Sequence, residues 1–205
     1  MIAVVVSSVV GAGLCSAGGL KLANRFAKTP EGWRWVAELS VMTAILAITF
    51  GICLSRHGIA ATLLLLPLAV LGSAAAAVDA RQLRLPDPLV TSLALTTIPV
   101  LVLARPILGS DPAAVNPVLL WGLALSGTLL VLIPAGWGWG DAKLVPILSC
   151  WIGIAGIPAA LAAATYSAMS IAMLAVWRSH WDGAGTAIPY GPAIVASTLI
   201  AWATA

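Results

Sequence analysis

The sequence predicts an all-α, polytopic integral membrane protein of about eight transmembrane helices with both termini extracytoplasmic. Three observations predict it. Of the 205 residues, 61% are hydrophobic and only 8% are charged, whereas a soluble domain carries about a quarter charged residues. The apolar residues fall into runs of about 20, the length that crosses a bilayer as a helix. The lysines and arginines sort to one side of the resulting loops, as they do in proteins oriented by the positive-inside rule.

Taken in order, the apolar runs lie near 2–20, 36–54, 59–78, 88–108, 116–135, 142–157, 159–178 and 188–204. The first, IAVVVSSVVGAGLCSAGGL, has no basic residue before it. A secretory leader requires one, so the run reads as a retained helix. The second follows KLANRFAKTPEGWRW, the longest polar connection, which leaves no room for a separate soluble domain. The third opens after SRHG and ends at Val78, and the fourth follows the LRLPDP step. The fifth follows DPAAVNP, and the shorter sixth begins at GWGWGD. The last two are separated by HWDGAGTAIPYGP. In lipid every backbone polar group must be satisfied within the segment, so helix is the expected element throughout.

With these crossings, one side receives Lys21, Arg25, Lys28, Arg34, Arg81, Arg84, Lys143 and Arg178, and the other receives Arg56 and Arg105. The richer side is cytoplasmic. The sorting requires 142–157 to cross fully. Trp33, Trp35, Trp137, Trp139, Trp177 and Trp181 then fall near the cytoplasmic interface, where amphipathic indole rings collect. The net charge of +3 is small and no basic run exists, so nothing points to nucleic acid. Cys15, Cys53 and Cys150 lie in apolar runs without CxxC spacing, and read as small buried hydrophobes.

The chemistry must come from few groups. Among the acids, Asp111 and Asp182 read as turn residues, while Glu31 and Glu38 neutralise neighbouring basic residues. Asp79 ends the third helix and Asp141 opens the sixth, and the topology puts both at the cytoplasmic rim. A carboxylate at such a depth is costly and is a functional candidate by default. Two carboxyls sharing a site repel, so one stays protonated while the other ionises. The ionised one takes a proton from water, and the protonated one polarises a scissile carbonyl. Two plainer roles stand beside this: Asp141 as a helix N-cap, and Asp79 as a partner of Arg81 or Arg84. Arg81 and Arg84 are otherwise expected to hold their loop at the headgroups. A zinc peptidase would need HExxH, and a serine peptidase a histidine on a facing helix. The only histidines, His57 and His180, fall in or beside loops and are expected at the surface. No metal and no cofactor is expected. GWGWGDAK is not a phosphate-binding GxxxxGK[ST] pattern.

Three stretches carry a resemblance. VDARQLRLPDPL (78–89) resembles the first signature of type IV prepilin peptidases, GWGWGDAKLVPILSCWIG (136–153) resembles their second, GxGDxKL, and IPYGPAI (188–194) resembles their PxGP element. The three occur in the family's order, over roughly residues 60 to 205. The division that follows is an N-terminal two-helix membrane segment, 1–58, and a prepilin-peptidase-like membrane domain, 59–205. The resemblance implies that Asp79 and Asp141 are the catalytic pair and that Asp87 is not catalytic. The implied activity is an aspartic endopeptidase of the cytoplasmic membrane. It would remove the short basic leader of type IV prepilins or pseudopilins at the cytoplasmic face. Longer relatives carry a cysteine-bearing cytosolic domain and methylate the new N-terminus. The short loop here lacks cysteine, which implies a short form with peptidase activity alone, similar to those of tight-adherence pilus systems.

Gly136, Gly138 and Gly140 would either allow a tight bend and close approach to a substrate strand, through their lack of a Cβ, or form a flexible link after Pro134. Lys143 would either lower the pKa of Asp141 or snorkel to the interface. Pro189, Gly191 and Pro192 would either break the chain beside the dyad or start the last helix. Two other functions use the same aspartates differently: a proton-coupled membrane transporter, and a non-catalytic membrane component of pilus assembly.

Overall fold

A computed structural model describes residues 2–28, 32–108, 139–181 and 189–204. The described elements are α1 (Ile2–Ala23), α2 (Trp33–Leu64), a π-helical turn (Leu68–Gly72), α3 (Ser73–Gln82), α4 (Asp87–Leu108), α5 (Trp139–Ala155), α6 (Ile157–Trp181) and α7 (Gly191–Thr204). The expected crossing at 116–135 lies outside the described residues, as do Asp111, Gly136, Gly138 and Asp182. Among the described residues, three helices are long and apolar enough to cross a membrane: Ile2–Ala23, Trp33–Leu64 and, within α4, Asp87–Ala104. Shorter apolar helices are Lys143–Gly153, Pro158–Met173 and Gly191–Thr204.

The expected boundary between the second and third runs appears as a break inside α2. Gly58 has φ 81 and ψ −176, which no helix accommodates and which glycine alone adopts freely. The chain then continues helical past the expected end at 78 to Gln82. On the way it passes Pro67. Proline has no N–H to donate and its ring crowds the carbonyl four residues earlier, and the helix wall widens into the π-turn directly after it. Other helices also differ from expectation at their ends. α1 reaches Ala23, α5 starts at Trp139 rather than near 142, and α7 starts at Gly191 rather than near 188.

Large apolar side chains cover the outside of the bundle, while inside it leucines and two tryptophans, Trp151 and Trp202, pack around a stretch of small residues on α3. Val5, Val6, Val9 and Val10 on α1 are exposed, as are Leu95, Ile98 and Val102 on α4. Inside, α3 reads SAAAAVD, and each of these seven residues, Ser73 to Asp79, is buried. Lipid tails are as apolar as leucine, so such helices associate through close packing of small residues. Gly19 of α1 shows this: a Cβ there would lie 2.9 Å from Ser73 Cβ and from the Val70 carbonyl oxygen. At Gly72 a Cβ would lie 2.9 Å from Val195 of α7. α3 is therefore wedged between α1 and α7. A second tie joins α4 to α5, where the fully buried Trp151 donates Nε1–H to Thr97 Oγ1 at 2.9 Å.

At one end of the bundle, Arg56 donates to the carbonyl of Thr204 at 2.5 Å, a cation at the negative end of α7. Beside it, His57 is half-buried, its ring edge-on to Trp202 with centroids 6.3 Å apart. This corrects the expectation of a surface histidine. The break at Gly58 ends the first stretch of α2 here and leaves the ring packed on α7. Cys15 and Cys53 are buried and Cys150 is half-buried, all as free thiols. The other end of the bundle carries Asp79.

Candidate active site

Asp79 lies on the last turns of α3, only 6% exposed. Its Oδ2 accepts the backbone N–H of Gly191 at 2.9 Å. Gly191 is the first residue of α7, and the N–H groups of a first turn have no partner within their own helix. They also carry the positive end of the helix dipole, which favours a nearby carboxylate. A Cβ on residue 191 would stand 2.9 Å from Asp79 Oδ2 and 3.1 Å from Asp79 Cβ. Only glycine permits this approach. The flanking prolines fit the same purpose: Pro189 is buried before the helix, and Pro192 sits in the first turn, where its missing N–H costs no helical bond. The structure thus brings Gly191 to Asp79, with Pro189 and Pro192 framing the helix start.

Arg81 does not pair with Asp79. Two residues along an α-helix are about 200° apart around its axis, so the two side chains leave α3 on nearly opposite sides. Arg81 Nη2 meets Glu38 Oε2 of α2 at 2.6 Å, and Nε reaches both carboxylate oxygens at 3.3 and 3.2 Å. Nη1 donates to Asn24 Oδ1 at 2.8 Å. The arginine side chain is 9% exposed. This corrects the expectation that it would sit in the headgroups. Glu38 and Asn24 form a polar socket that a buried guanidinium needs. Arg84 is exposed, and among the described residues Asp79 has no ion pair.

The second signature is fastened to the first at the same end. Lys143 of α5 meets Asp87, the first residue of α4, with Nζ to Oδ1 at 2.6 Å. This role differs from both expected for Lys143, since its ammonium is directed to Asp87. Gly140 lies inside α5 rather than in a loose bend. A Cβ there would lie 2.9 Å from Leu85 Cβ and 3.0 Å from Leu85 Cδ1. Its close neighbour is therefore a side chain of the first signature. The backbone of Asp141 is the third residue of α5, inside the helix rather than at an N-cap; its side chain lies outside the described residues.

Leu83 closes α3 in the left-handed conformation, φ 53, with its N–H on the Asp79 carbonyl at 2.7 Å. Next to it, Gln82 Nε2 donates to the Phe26 carbonyl at 3.2 Å. An apolar groove of about 350 Å³ runs between α2, α3 and α7. Ala76 and Ala80 of α3 and Pro192 of α7 stand in its wall, and Glu38 is the acid on its lining.

Sequence reasoning missed Asn24 and Leu85 and gave Glu38 only a general neutralising role. A signal for Glu38 was present: it is the acid at the head of an otherwise apolar crossing, a position that calls for a specific partner.

Comparison with known proteins bears directly on these residues. A model of the type IV leader peptidase family matches residues 64–175, which include Asp79, Leu85, Asp87, Gly140, Asp141 and Lys143. No curated protein and no solved structure matches the chain. The match spans more than half of the sequence and holds both signatures that the fold brings to one end of the bundle, so the chain belongs to the type IV leader peptidase family.

Proposed function

We propose that the protein is an aspartic endopeptidase of the cytoplasmic membrane that removes the short basic leader of a type IV prepilin or pseudopilin. Asp79 and Asp141 are the proposed dyad. The ionised carboxylate takes a proton from water, whose oxygen attacks the scissile carbonyl carbon. The protonated carboxyl donates a hydrogen bond to the carbonyl oxygen. Collapse of the tetrahedral intermediate breaks the C–N bond, and the leaving amine takes up the transferred proton.

The observation that carries the reading is the double fastening between the two signatures. Lys143 on Asp87 and Gly140 on Leu85 hold the start of α5, where Asp141 lies, against the segment that follows Asp79. Two aspartate-bearing helix ends anchored to each other fit a dyad. The sorting of Lys and Arg supports the cytoplasmic face as the place of cleavage.

Co-expression of the chain with a candidate prepilin tests this. Asp79→Asn and Asp141→Asn are each expected to leave the prepilin uncut while the membrane level of the chain is unchanged. Maturation by either variant at the parent rate would remove the dyad from consideration. Gradient-driven uptake into vesicles with no cleavage would favour the transporter instead.

A further inference from the structure

We propose that Arg81 is a positioning residue for Asp79, acting through a socket that the first two helices supply. The proposal rests on Asp79 being catalytic. The last turn of α3 is held from two sides. On one side Gly191 donates a single hydrogen bond to the Asp79 carboxylate. On the other, Arg81 bonds Glu38 of α2 and Asn24 just after α1, and Gln82 bonds the Phe26 carbonyl. Because Asp79 and Arg81 project about 200° apart, the Arg81 bonds fix the rotation of the turn about its axis. That rotation decides where the Asp79 carboxylate points.

Two further observations agree. The turn ends in Leu83 at φ 53. A side-chain-bearing residue in that region is strained and persists only where its surroundings over-determine it. The guanidinium also uses its planar fork, with Nε and Nη2 both on the Glu38 carboxylate. A lysine would carry the charge without that geometry. Asn24, Phe26 and Glu38 all lie upstream of the family match at 64–175. The first two helices therefore contribute to the geometry of the proposed site.

The test uses the full chain in membranes, cleaving a purified prepilin, with kcat and KM measured separately. Arg81→Lys and Glu38→Gln keep side-chain volume and are expected to lower kcat about tenfold or more with KM nearly unchanged, since misplacement by about 1 Å can cost about a hundredfold. The charge-swapped double variant Glu38→Arg/Arg81→Glu is expected to recover activity over Arg81→Glu alone. Lys21→Arg, on the exposed face of α1, is expected to match the parent. Parent kcat in both Arg81→Lys and Glu38→Gln would overturn the proposal. So would a change confined to KM, which would mean a binding role. Asp79→Asn runs alongside: cleavage by that variant would remove the catalytic reading itself, whatever Arg81 does.

Discussion

The amide of Gly191 donates to Oδ2 of Asp79 across 2.9 Å, joining residues 112 apart in the chain. The contact is specific in both directions. The carboxylate supplies the acceptor that the first turn of α7 lacks, and the missing Cβ supplies the room. Gly191→Ala places a carbon 2.9 Å from the carboxylate oxygen. Overpacking of this kind costs about 1–3 kcal/mol, and here it also moves Asp79. We expect cleavage to fall at least tenfold and the melting temperature in detergent to drop. Asp79→Asn is expected to melt close to the parent, because the amide oxygen of asparagine still accepts from Gly191.

Gly140 and Leu85 form a steric pair. Gly140→Ala is expected to destabilise the chain and reduce cleavage, since the new methyl group lies 2.9 Å from Leu85 Cβ. Leu85→Ala should cost about 2–5 kcal/mol by itself as a buried truncation. Combined, the two changes should cost less than their sum, because Leu85→Ala removes the Cδ1 and Cγ atoms that would crowd the methyl at 3.0 and 3.2 Å and leaves only the Cβ contact. A double-mutant cycle on melting temperature and on cleavage checks this. Strict additivity would mean that the two signatures are not in contact.

Lys143 and Asp87 should behave differently. Their side chains are 45% and 73% exposed, and water and salt screen an exposed pair so that it contributes little to stability. Lys143→Met should therefore cost little stability. Asp87→Asn should be nearly silent, because the asparagine oxygen still accepts from the ammonium group. Asp87→Lys puts two cations together, and adding Lys143→Asp should restore cleavage. Raising salt should weaken the native pair.

How much of this was legible in the sequence depended on how far the contact reached. Asp79 could be picked out alone, since a carboxylate ending an apolar run stands out in a chain with 8% charged residues. Gly191 was legible as part of the PxGP stretch, but its hydrogen bond was not. The break at Gly58 showed as the polar SRHG cluster. Arg81 was misread because its partner lies 43 residues away on another helix. Nothing local distinguishes a snorkelling arginine from one in a socket. Gly140 was misread for a related reason. A glycine beside a helix start suggests a bend, and only packing against Leu85 explains a helical one. The start of α5 moved earlier accordingly.

Leu83 gives a prediction that separates stability from chemistry. A left-handed residue with a side chain costs about 1–2 kcal/mol, and Leu83 is exposed at 47%, so little packing is lost on removing it. Leu83→Gly is expected to raise the melting temperature slightly, with part of the gain offset by the freer unfolded chain. Cleavage should stay near the parent value if the Arg81 bonds suffice to hold the turn. A large loss of cleavage would show that the leucine side chain itself helps to fix it.

The π-turn at Leu68–Gly72 bears on how this chain can change length. Such a turn carries one residue more than the same stretch of α-helix. Loss of one residue there, such as Leu71, lets the wall tighten to α geometry and leaves everything after it in place. Loss of one residue from Ala74–Val78 turns Asp79 by about 100° relative to the chain before it. The two deletions differ little in apolar length, so membrane insertion should survive both. Only the second should swing the carboxylate off Gly191 and abolish cleavage. The π-turn is thus the place in this helix where insertions and deletions can accumulate without disturbing what lies below it.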